Sequence, residues 1–245
     1  VTVGALYRGA RQGGDYYDYI TTGPRMLLLL LDIAGRRDEA FAIAAEVQQS
    51  FRAAADLFAF DDVNEPVALA QLHLEVNRAI LAAAGGVRCA PGILASFNEI
   101  AGTLWYMNAG HTPPLVKDAN GARVLPNSGV PLGLFSHATQ DASICVMEPG
   151  SALVMVSRGL VEARAGGVEY GIERVCESLA AAPLGDGQQL CAAVHDSVRS
   201  FIESRPKHRL LPRSQRTVGE EDPFSANDAT AVALVRHVVA GASAG

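Results

Sequence analysis

Three carboxylates fall close together near the start of the chain. Asp15 and Asp18 sit in Gly13-Gly14-Asp15-Tyr16-Tyr17-Asp18, and Asp32 ends the run Met26-Leu27-Leu28-Leu29-Leu30-Leu31. An apolar run without alternation suits a strand buried on both faces. The pattern alone also allows a buried helix, but Gly23-Pro24 before it and Gly35 after it favour the short strand. Such a strand carries Asp32 to the edge of a core, where an anion needs a partner. Thr21-Thr22-Gly23-Pro24 reads as a tight turn, so the two segments can pair as a hairpin and bring Asp15, Asp18 and Asp32 together. Three oxygen donors in one place suit a hard cation such as Mg²⁺ or Mn²⁺. The same residues allow a plainer reading, in which Asp15 and Asp18 are loop acids and Asp32 caps a helix. The residues alone leave both readings open.

The rest of the chain must hold that hairpin in place. Residues 1–10, 13–20 and 25–33 read as strands. An Ala-rich stretch at 38–57 has Phe41, Ala44, Ala45, Val47, Phe51 and Ala55 at helical spacing, and its early acids suit a helix N-terminus. Pro66 fits the first turn of a second helix, which runs to about Ala84 and is ended by Gly85-Gly86. Strands return at 92–100 and 103–108, around Ala101-Gly102, then at 123–125, 143–147 and 152–156. Residues 171–181 and 187–203 read as helices, 205–225 as a polar Pro- and Arg-containing loop, and 227–237 as a closing strand. Two long helices inserted among strands argue against simple β-α-β alternation. The order suits an α+β fold in one domain, with a small-residue tail at 239–245.

Composition narrows the class. The chain has 245 residues, 49% of them hydrophobic, enough to bury a substantial core. A net charge of −6 gives no support to nucleic-acid binding. Cys89, Cys145, Cys176 and Cys191 are scattered without zinc-ligand spacing, as reduced thiols of a cytoplasmic protein would be. No apolar run is long enough for a membrane span and no signal-peptide pattern opens the chain. It begins on Val1 rather than Met, which predicts a longer polypeptide with a regulatory or sensory region upstream.

The order of motifs resembles the SpoIIE-type branch of the metal-dependent serine/threonine protein phosphatases, the PPM superfamily. Gly13-Gly14-Asp15-Tyr16-Tyr17-Asp18 is similar to that family's GGDxxD, and Leu31-Asp32-Ile33-Ala34-Gly35 to its GDVSG. Asn108-Ala109-Gly110-His111-Thr112-Pro113-Pro114 is similar to NAGHxPP, and Gly129-Val130-Pro131-Leu132-Gly133 to GxPLG. Pro149-Gly150 with the strand that follows, and Asn227-Asp228-Ala229-Thr230, lie where the DG strand and DDxT belong. The resemblance runs from about residue 3 to 237. It implies a four-layer αββα sandwich, two central antiparallel sheets flanked by helices. It also implies one or two Mn²⁺ or Mg²⁺ ions that activate water against phosphoserine or phosphothreonine.

Carried over residue by residue, the resemblance makes Asp15 and Asp32 the catalytic metal ligands. The Ile33 carbonyl completes the first metal site, and Asn227 and Asp228 contribute to the second. Two positions depart from the pattern: Arg158 in Ser157-Arg158-Gly159 stands where an Asp is expected, and Asn227 replaces another. An Asp-to-Arg change reverses the charge. At an effective dielectric of ~20 a like-charge contact at ~4 Å costs about 4 kcal/mol, roughly a thousandfold in cation affinity. The second metal site is therefore the doubtful one. Asp18, Arg36 and Arg158 are candidates to support the metal site or hold phosphate, and Arg37 adjoins Arg36. His111 reads mainly as part of a turn, and Gly13, Gly14 and Gly35 as backbone devices. The expected substrate is a phosphoprotein, by analogy a phosphorylated antagonist of an anti-sigma factor, in a signal-transduction setting with a homodimer possible. The rival expectation is a pseudophosphatase that binds a phosphoprotein or partner without turnover.

Overall fold

The structure is a computed structural model that describes residues 1–9, 14–85, 88–126, 129–137, 140–204 and 228–238. Ten of its strands form two antiparallel five-stranded sheets. The first has the order β1 (Thr2–Arg8), β12 (Ala229–Arg236), β9 (Ser151–Val156), β6 (Leu115–Asp118), β7 (Gly121–Val124). The second has the order β2 (Asp15–Thr22), β3 (Arg25–Asp32), β4 (Gly92–Asn98), β5 (Thr103–Ala109), β8 (Ser143–Val146).

The unbroken leucine run explains the layering. Leu27 through Leu31 are all fully buried, because β3 is covered on both faces. Leu27, Leu29 and Leu31 meet Val47 and Phe51 of α1 (Arg37–Ala54) and Leu69, Leu72 and Val76 of α2 (Glu65–Ala83). Leu28 and Leu30 turn the other way, onto Leu153, Met155, Val232 and Leu234 of the first sheet. The outer face of that first sheet, with Val154, Val156, Ala231 and Ala233, packs on α4 (Gly171–Ala181) and α5 (Gly187–Ser204). Each buried leucine side chain contributes about 1.5–3 kcal/mol. The result is the expected α+β sandwich of four layers.

The helix starts follow local chemistry. The Asn64 side chain accepts from the Val67 backbone N–H, and Pro66 lies in the first turn of α2. A 3-10 turn, Ala55–Phe58, extends α1. The expected strands and long helices are present, most within one or two residues of their sequence boundaries, although the strand near 123–125 is β7, beginning at Gly121. Four elements had no counterpart in the sequence reading: β6, the single turn α3 (Arg158–Val161), and the two strands of a hairpin, β10 (Arg164–Ala165) and β11 (Val168–Glu169). All are four residues or shorter, too brief for periodicity to register. The expected loop at 205–225 and tail at 239–245 lie outside the described residues. Among the described residues no helix is long and apolar enough to cross a membrane. Cys89, Cys145, Cys176 and Cys191 are all free.

Candidate active site

The site forms at one end of the sandwich, where β2 and β1 border the two sheets and β12 lies beside β1. In the β2–β3 hairpin Asp15 and Asp32 are direct cross-strand partners. Opposed residues of an antiparallel pair share a face. Asp32 alternates with Leu28 and Leu30, so both carboxylates belong to the face between the sheets. The first sheet supplies the opposing wall. Thr230, at the start of β12, donates its hydroxyl to Asp15 Oδ2 at 2.7 Å. Asp228, two residues earlier, accepts the Asp15 backbone N–H on Oδ2 at 3.4 Å and the Tyr7 hydroxyl on Oδ1 at 3.1 Å.

Gly14 lets these oxygens approach closely. A methyl group built on its Cα would lie 3.1 Å from the Ile33 carbonyl oxygen, 3.6 Å from Asp32 Oδ1 and 4.0 Å from Asp228 Oδ2. Three oxygens from two parts of the chain, residues 32–33 and 228, thus converge within 4.0 Å of the point that a side chain at 14 would occupy. Ile33 is held there by its own N–H, which donates to the Gly14 carbonyl at 2.8 Å. Glycine at this position therefore does more than permit a turn.

The electrostatics agree with the geometry. Burial pushes the Asp15 carboxyl up to about 7; the hydroxyls of Ser157 and Thr230 act against that, and the negative charges of Asp32 and Asp228 add to it. Tyr7 is pushed up to about 12, by burial first and Asp228 second. A buried carboxyl raised by burial and by neighbouring negative charges is what a cation would relieve. The donor set of Asp32, Asp228, the Ile33 carbonyl and neighbouring Asp15 fits one hard divalent ion in its chemistry. Among the described residues, however, no three His, Cys, Asp or Glu side chains stand close enough to form a cage by themselves. The Ile33 carbonyl would be a needed donor.

Arg158 enters the same space as a cation. Its Nη2 lies 3.0 Å from Asp32 Oδ2, and its Nε lies 3.9 Å from Glu162. The backbone that carries it is fixed. Ser157 N–H donates to the Thr230 carbonyl at 2.8 Å, and Thr230 N–H donates to Ser157 Oγ at 2.9 Å. A side chain at Gly159 would collide with the Asp228 carbonyl, so only glycine lets α3 lie against that strand entry.

Other candidates go elsewhere. The structure does not bring Asp18 to the cluster. Three residues along β2 from Asp15, it faces the α1 side, where Arg52 grips both its oxygens at 2.9 and 2.7 Å and the Tyr16 hydroxyl adds a bond at 3.3 Å. Odd spacing along a strand is the reason. Arg36 also stays away: it is exposed at the start of α1, 3.5 Å from Asp38. Arg37 points over Phe41, though its charge reaches Tyr7. Asn227 lies outside the described residues, as does Gly13. His111 is built into a turn, its N–H donating to Asn108 Oδ1 at 2.8 Å, and burial pushes its imidazole down to about 4. Sequence reasoning missed Tyr7, which no local signal marks: it meets Asp228 only because β1 pairs with β12, Tyr7 opposite Thr230. It also missed Cys89, whose thiol is raised by burial and by Asp32, with Arg158 opposing.

Comparison with known proteins places this geometry. A family profile described as Stage II sporulation protein E (SpoIIE) matches residues 22–208, well over half of the chain. The SiaA-PP2C domain of Pseudomonas aeruginosa aligns with 95% of this chain and 85% of its own, at 15% identity and a TM-score of 0.71. The RsbU and RsbW domains of Rv1364c from Mycobacterium tuberculosis align over 97% of this chain at 20% identity and a TM-score of 0.68. This chain spans 62% of that structure. RsbX, in a structure with magnesium, aligns over 95% of this chain and 94% of its own, at 14% identity and a TM-score of 0.58. The structural likenesses speak to the fold. The profile match speaks to descent, and by it the chain belongs to the SpoIIE family.

Proposed function

We propose that this domain is a phosphoserine/phosphothreonine protein phosphatase of bacterial regulatory type, dependent on Mn²⁺ or Mg²⁺. The observation that carries the reading is the convergence of oxygens beside Gly14: Asp32 Oδ1, Asp228 Oδ2 and the Ile33 carbonyl all lie within 4.0 Å of one point, with Asp15 in register beside Asp32. A cation bound there supplies Lewis acidity toward a phosphoryl oxygen and toward water. The chain's own residues do the rest. Thr230 and Tyr7 orient Asp15 and Asp228 through their hydroxyls. Asp15, raised to about 7, can hold a proton on its carboxyl near neutral pH and release it when a positive charge arrives. The Ser157–Thr230 bonds keep the two strand ends from spreading.

The substrate class, by analogy with the family, is a phosphorylated antagonist of an anti-sigma factor, and the RsbU and RsbW domains among the structural relatives are in keeping with a regulatory partner. A sensory region upstream, a homodimer and a cytoplasmic setting belong to the same reading.

The Arg158–Asp32 ion pair favours a second reading, a pseudophosphatase that holds a phosphoprotein without turning it over. Phosphate release from a phosphoserine peptide, measured with millimolar Mn²⁺ in wild type and Asp32→Ala, separates the two. Release that disappears in Asp32→Ala supports the phosphatase. No release from wild type, with the phosphopeptide still bound, sinks it in favour of the second reading.

A further inference from the structure

The two oxygens of Asp32 have different neighbours. Oδ1 lies on the Gly14 side, 3.6 Å from where a methyl group at 14 would stand, while Oδ2 is held by Arg158 at 3.0 Å. A carboxylate that bridges two cations gives one oxygen to each. Here one of those places is taken by a guanidinium belonging to the chain itself. Its backbone is not free to withdraw, because Ser157 is bonded to Thr230 and Gly159 is packed against Asp228.

We infer that Arg158 is a built-in cation that replaces a second metal ion, so that the site takes one divalent ion on the Oδ1 side of Asp32 and holds it loosely. This rests on the cation reading of the Asp15–Asp32 site given above. Glu162 offsets little of the charge, since its carboxylate is 3.9 Å away and the Arg158 side chain is 60% exposed. Solvent screens both contacts, which keeps the repulsion between Arg158 and an incoming ion modest rather than prohibitive.

The test is calorimetric titration of the metal-stripped chain with MnCl₂, which reads stoichiometry and affinity without reference to turnover. Wild type should bind one ion. Arg158→Gln should bind one ion at least tenfold more tightly, and Arg158→Asp should bind two. Arg158→Lys keeps the charge and should stay within about threefold of wild type, which separates a charge effect from a change of shape. Two ions in wild type, or an affinity in Arg158→Gln within twofold of wild type, overturns the inference. Asp32→Asn distinguishes the underlying reading: if it binds Mn²⁺ as wild type does, the cation does not use Asp32 and both proposals fall. If binding is lost in Asp32→Asn yet Arg158→Gln equals wild type, only the inference about Arg158 falls.

Discussion

At the scale of single residues, the site is shaped as much by what is missing as by its acids. Gly14 leaves a gap that three oxygens line, and the smallest addition closes it. In Gly14→Ala the methyl group arrives 3.1 Å from the Ile33 oxygen, tight enough to push that carbonyl by a few tenths of an ångström. Burial is not disturbed elsewhere, so the fold should tolerate the change at a cost within ~1 kcal/mol. An ion should not tolerate it, because the methyl group stands among its donors. Mn²⁺ affinity should fall at least tenfold while the urea midpoint of the metal-free chain moves little. Unchanged affinity in a calorimetric titration would show that the ion, if bound, does not use this space. The motif reading treats Gly14 as a backbone device; its role as an open seat becomes visible only once residues 33 and 228 are folded around it.

At the scale of elements, β3 is clamped at the end opposite Asp32. Arg25 begins the strand, is 3% exposed, and donates from Nε to Glu65 Oε1 at 2.8 Å. Glu65 opens α2 and also accepts from Ser96 at 3.0 Å and Asn98 at 2.9 Å. One carboxylate therefore ties a helix start to β3 and β4. Removing its charge leaves the Arg25 guanidinium buried and uncompensated, and losing one partner of such a pair costs about 3–5 kcal/mol. Glu65→Gln should unfold at lower urea concentration by that amount, with secondary structure by circular dichroism retained below the transition. A loss under ~1 kcal/mol would mean the pair is not the clamp. Nothing in the sequence announces it, because the two residues are 40 positions apart and no local pattern marks either of them. The strand itself was legible, since five successive leucines between Gly23-Pro24 and Gly35 favour a short strand covered on both faces. The same logic separates Asp15 from Asp18. Both stand in one motif, yet strand alternation sends Asp18 to Arg52 and α1, a contact across 34 positions that spacing near the motif cannot reveal.

At the scale of the whole molecule, the site is a joint between the two sheets. Asp15 and Asp32 come from the second sheet. Tyr7 and Thr230 come from the first, Asp228 just precedes β12, and Arg158 comes from the turn after β9. The Tyr7–Asp228 bond spans 221 positions and needs β1 paired with β12, while the Thr230–Asp15 bond spans 215 and exists only when both sheets are packed. An ion bound there recognises the folded chain and not the unfolded one, and mass action then stabilises the fold. At a hundred times the dissociation constant the gain is about 2.7 kcal/mol, which for a domain of this length raises the melting temperature by roughly 5–10 °C. Wild type should show that rise with Mn²⁺ and lose it with a chelator. Asp15→Asn should show little of it, because an amide keeps the shape and the bond to Thr230 while removing the negative charge. A rise of equal size in Asp15→Asn would place the stabilising ion elsewhere on the molecule. No rise in either, at concentrations where calorimetry detects binding, would mean that the unfolded chain holds the ion as well as the folded one, and that the ion does not depend on the joint between the sheets.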